Sequence, residues 1–86
     1  MTVQLRREDL TWQELDDETI VLDLRSSKYF VINRTGTQLW RLLAREATAD
    51  DLASELVAVY GLSSALARAQ ADEFIDGLRR SGLLEQ

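Results

Sequence analysis

The sequence predicts an α+β domain in which a three-stranded antiparallel sheet is followed by three α-helices. Three observations predict it. Residues 10–32 alternate with period two and are rich in aromatic and β-branched side chains. Residues 35–80 change to apolar spacings of three and four, punctuated by glycine and by polar capping residues. No proline interrupts either half. The 86 residues fit one domain spanning 1–86. At that size only about 60–65% of the unfolded surface is buried, which suits one small core and not a deep internal active site.

Residues 3–9 give weak alternation at Val3 and Leu5 and then charge, the pattern of an extended lead-in. The first strand is expected over about 10–15, with Leu10, Trp12 and Glu14 on one face. Asp16-Asp17-Glu18 makes the turn, because aspartate bonds its own backbone there. Three adjacent acids also raise the idea of a metal site, but nothing nearby completes a coordination shell. The second strand, about 19–24, sets Ile20, Leu22 and Leu24 on one side and Thr19, Val21 and Asp23 on the other. Arg25-Ser26-Ser27 turns the chain into the third strand, about 28–32, where Tyr29 and Val31 oppose Phe30 and Ile32. Lys28 at its start discourages unwanted edge pairing.

The first helix is expected over about 35–44, capped by Asn33 or Thr35, with Leu39, Trp40, Leu42 and Leu43 as its apolar face. Gly36 lies early in it, where a tight strand–helix approach requires the missing side chain. The second helix, about 49–60, is capped by Thr48, and Asp50 and Asp51 sit at its positive dipole end. Leu52, Leu56, Val57 and Tyr60 line it, and Gly61 ends it in the left-handed conformation. The third, about 64–80, starts at Ser63 or Ser64 and carries Ala67, Ala71, Phe74, Ile75 and Leu78 at spacings of three and four. Gly82 stops it, and Leu83-Leu84 folds back onto the core.

Composition removes several functions. There is no cysteine and no histidine, which excludes disulfides, thiolate nucleophiles, zinc fingers and histidine acid–base chemistry. With a single lysine besides, the chain reads as a non-enzyme with no cofactor and no metal. Met1–Arg7 lacks the apolar core of a secretory signal, and no apolar run approaches the ~20 residues that cross a bilayer. A cytoplasmic protein without a membrane partner is expected.

A small sheet with three helices is winged helix-turn-helix-like, which raises a DNA-binding regulator as one reading. The formal net charge of −5 opposes it. Arg68, Gln70, Arg79 and Arg80 on the third helix are interleaved with Asp72, Glu73 and Asp76, which repel a phosphate backbone. Trp12, Tyr29, Phe30 and Trp40 offer possible stacking surfaces for single strands, but aromatics in a small sheet and its packed helix are more often core.

The remaining guest is a peptide. An edge strand presents unpaired N–H and C=O groups to which an extended peptide adds as another strand. Here Lys28, Tyr29, Phe30, Val31 and Ile32 supply that edge. The third helix is expected as the other wall, with Ala71 and Ile75 as floor and Arg68, Asp72, Asp76 and Arg79 as charged rim. Phe30 and Ile75 help form an apolar pocket for a guest side chain.

The pattern Tyr29-x-x-Ile32-Asn33-x-Thr35-Gly36-x-x-x-Trp40 resembles the signature of PqqD-like proteins. So does the continuation through Thr48, Leu52, Leu56, Tyr60, Asp72, Phe74, Leu78 and Gly82-Leu83-Leu84. The resemblance spans about Leu10 to Leu84. It implies a RiPP recognition element, a winged-helix-like fold that binds the leader segment of a ribosomal precursor peptide by strand addition beside the third helix. It implies no catalysis: the domain presents the leader to a processing enzyme. By position, the contacting strand is Lys28–Ile32 and the contacting helix face lies within Arg68–Arg79. A free-standing domain with an Ala/Arg-rich helical half is most similar to the lasso-peptide type, whose partner is a separate leader peptidase, a cysteine protease. A peptide chaperone for a radical-SAM enzyme in quinone-cofactor biosynthesis is the alternative within the family, and the DNA-binding regulator the alternative outside it.

Overall fold

The computed structural model describes residues 2–85. Strands β1 (Leu10–Leu15), β2 (Glu18–Asp23) and β3 (Lys28–Ile32) precede helices α1 (Arg34–Leu43), α2 (Ala49–Tyr60) and α3 (Ser64–Arg80). The sheet is an antiparallel meander of order β1-β2-β3, so β3 is an edge. Asp16 and Asp17 both take positive φ (51° and 67°) between the paired residues Leu15 and Glu18. That is the two-residue hairpin loop whose twist matches the strands, and aspartate tolerates it. The acidic turn is therefore structural, with Asp17 pairing Arg34 at 3.3 Å.

One face of the sheet packs on the helices. It carries Trp12 from β1, Thr19, Val21 and Asp23 from β2, and Phe30 and Ile32 from β3. Hydrophobicity alone would bury Ile20, Leu22 and Leu24 instead, yet Leu22 and Leu24 face outward and are exposed. The polar residues are buried because each has a partner. Thr19 Oγ1 lies 2.8 Å from Thr37 Oγ1 of α1, and Asp23 accepts from Arg6 at 2.6 Å. Arg6 reaches that place because the N-terminal arm is pinned: Val3 bridges Ala47, and Leu5 bridges Leu84.

Trp40, Leu39 and Leu43 of α1, Leu52 and Leu56 of α2, and Ala67, Ala71, Ile75 and Leu78 of α3 form the core with Leu83. Trp12 meets Trp40 edge to face, ring centroids 5.3 Å apart. The apolar spacing of α2 places Val57 and Tyr60 with Leu52 and Leu56, but both stay exposed. Val57 lies on the flank of the Leu52–Leu56 stripe and Tyr60 is the helix's last residue. α1 starts one residue before its expected position, at Arg34, because Asn33 is the cap: its Oδ1 accepts the Gly36 N–H at 2.8 Å. Thr48 and Asp51 form a reciprocal capping box, and Gly61 closes α2 at φ 66°. Among the described residues no helix is long and apolar enough to cross a membrane.

Candidate functional site

The free edge of β3 faces the flank of α3, and between them runs a groove of about 650 Å³. Its floor is apolar: Phe30 and Ile32 of β3, Leu39 of α1, Phe74 and Leu78 of α3, and Leu83. Its rim is polar, with Asn33 and Thr35 at one side and Gln70, Glu73, Arg80 and Ser81 at the other. A groove of this composition offers burial to apolar side chains and orientation to a few polar ones.

Local sequence explains the shape. Alternation turns Phe30 and Ile32 inward and leaves Tyr29 and Val31 70% and 58% exposed on the far face. The chain then passes through Asn33 directly into α1, so Gly36 packs against β3. A Cβ on Gly36 would lie 2.5 Å from Ile32 Cγ2 and 3.1 Å from Phe74 Cε1. The missing side chain permits the tight approach of strand and α1 expected from the sequence, and it also lets α3 converge there through Phe74, which the sequence did not predict.

The expected site residues divide into three groups. Phe30 and Ile32 line the groove, and Val31 between them borders it although its side chain is on the far face. Lys28 and Tyr29 lie on the same strand but not in the groove wall. On α3 the expected face is displaced. Ala71 and Ile75 are buried in the core and do not floor the groove. Arg68 is directed to Asp50 of α2 and to Asp72, while Arg79 pairs Asp76 at 2.9 Å. None of these four charged residues lines the groove.

The α3 residues that do line it are Gln70, Glu73, Phe74, Gly77 and Arg80, with Leu78 at the margin of the core stripe. This is the flank about 100° round the helix from the core, on the side away from α2. Helical periodicity identifies the buried stripe but not which flank meets β3. The available signals were Phe74, a large apolar residue at the edge of the stripe, and Gly77, a glycine inside a helix.

Electrostatics shape the surroundings more than the groove. Arg6 holds the Asp23 carboxyl well below the usual carboxylate range, helped by the Arg25 N–H and the Ser26 hydroxyl and opposed by burial. Arg41 hydrogen bonds lower Glu14 in the same way, linking α1 to β1. Both clusters lie outside the groove lining.

The profile of the family described as coenzyme PQQ synthesis protein D (PqqD) matches residues 18–84. No curated protein sequence matches the chain. Two solved structures share its fold closely. TbiB1, in complex with the TbiA(beta) leader peptide, is 22% identical, with a TM-score of 0.88 over 95% of this chain and 94% of that one. A lasso peptide synthetase B1 complexed with the leader peptide is 21% identical, with a TM-score of 0.86 over 98% of both chains.

Proposed function

The chain belongs to the PqqD family, and from that premise we propose that it is a non-catalytic leader-peptide-binding protein. It captures the leader of a ribosomal precursor peptide as a strand added to β3 and delivers it to a maturation enzyme. The carrying observation is the open edge of β3 beside an apolar-floored groove. Strand addition draws affinity from main-chain hydrogen bonds and selection from pockets for alternate side chains, and both parts are present. The two structural neighbours are leader-peptide complexes, one of them a lasso peptide synthetase B1. That supports a lasso-peptide pathway, with a cysteine-protease leader peptidase as the recipient in the cytoplasm.

The family description favours one further reading, a peptide chaperone in quinone-cofactor biosynthesis. The two differ in recipient and share the groove. Duplex DNA is disfavoured by residues 44–86, in which four basic residues face eight acidic ones.

The test is a backbone N-methyl scan of the leader of any precursor peptide found encoded near the chain's gene, with binding followed by fluorescence anisotropy. Residues of a strand direct their N–H groups alternately to opposite edges. Methylation at every second position should therefore weaken binding about tenfold or more, while the positions between tolerate it. Uniform tolerance would refute strand addition.

A further inference from the structure

Gly77 stands in the interior of α3, where glycine is disfavoured relative to alanine. Its φ is not in the left-handed region, and a Cβ built on it meets only the Arg80 guanidinium, at 4.0 Å. Neither backbone conformation nor packing within the chain requires the missing side chain. Gly36 has such a requirement and Gly77 does not. Gly77 lines the groove, so the space its missing side chain leaves opens into the groove.

The residues one helical turn to either side are charged. Glu73 and Arg80 are exposed on the groove rim. Arg68 and Arg79 of the same helix are engaged by Asp50, Asp72 and Asp76. Among the described residues Glu73 and Arg80 form no ion pair. They are left available to a guest.

We propose that the Glu73–Gly77–Arg80 line of α3 is the specificity element for the guest peptide. Gly77 is a notch that admits one bulky apolar side chain, between a basic residue facing Glu73 and an acidic residue facing Arg80. The proposal rests on the strand-addition reading above and goes further by specifying the guest. Glu73 and Arg80 are seven residues apart, about 10.5 Å along the helix. Inward side chains of an added strand recur every ~6.7 Å, so three of them span about 13 Å. The difference is within reach of the long side chains. The preferred guest therefore reads basic-x-bulky apolar-x-acidic along the strand, in the direction that sets its basic end against Glu73.

A displayed library of random 16-residue peptides, panned against the full chain, tests this. Enrichment of that pattern is the expected result. Glu73→Lys should convert the basic preference to an acidic one. Gly77→Ala should raise the melting temperature by about 4–8 °C through helix propensity and yet weaken the enriched peptides roughly tenfold. Gly77→Leu should abolish the preference for a bulky residue at the central position. Enriched peptides that lack the pattern, or that bind Gly77→Leu as well as the parent, overturn the proposal and leave strand addition standing. Failure to enrich any extended peptide removes both.

Discussion

The absent side chain at Gly36 sets the distance between β3, α1 and α3, and so the depth of the groove. The Ile32 methyl that a Cβ would strike belongs to a buried, β-branched residue, which has little freedom to move aside. Gly36→Ala should therefore destabilise the fold by about 1–3 kcal/mol despite its better helix propensity, measured by urea denaturation. Gly77, by contrast, has room for a methyl group. Asp23 makes stability depend on pH. Its native pKa is depressed, chiefly by the Arg6 hydrogen bond. The stability it contributes is therefore complete above the unfolded value of about 3.9 and is lost as pH falls through the native value. Unfolding curves should shift to lower denaturant below about pH 4. Asp23→Asn should be less stable at neutral pH and show a flatter acid limb; an unchanged limb would show that other carboxylates carry it.

At the scale of elements, the sheet is held to the helices by a polar contact as well as by the core. The Thr19 and Thr37 hydroxyls meet where β2 crosses α1. Thr37→Val leaves a buried hydroxyl without that partner and should cost about 1–3 kcal/mol, whereas adding Thr19→Val should recover part of the loss. A double-mutant cycle in urea measures the coupling, and strict additivity would contradict it. This contact also marks a limit of what sequence makes legible. Element order, the Thr48 and Gly61 caps, the Gly36 approach and the Phe30/Ile32 pairing all follow from local chemistry, which neighbouring residues determine. The burial of Thr19 and Asp23 depends on Thr37 and on Arg6, which are distant in sequence. The groove flank of α3 depends on how the helix docks against β3, which periodicity along one helix does not encode. Arg68, Asp72, Asp76 and Arg79 were therefore expected in a groove that Gln70, Glu73, Phe74, Gly77 and Arg80 line instead.

At the scale of the molecule, a meander that ends in an edge strand leaves one row of backbone groups without a strand partner among the described residues, and the helices cover its flank without closing it. The N-terminal arm is fastened to Ala47 and Leu84, away from β3. The core extends from Trp40 to Leu83 beneath the groove, so the site rests on ordered packing and not on a loop. On the proposed reading, an extended leader peptide docks along β3 and α3. The direct measurement is a titration of the ¹⁵N-labelled protein with that peptide, followed by amide shifts. The largest changes should fall on Lys28–Ile32 and on Gln70, Glu73, Phe74, Gly77 and Arg80. Largest changes on the Asp16–Glu18 turn, or on the Arg68–Asp72 flank that faces α2, would show that the peptide does not dock along β3 and the groove flank of α3.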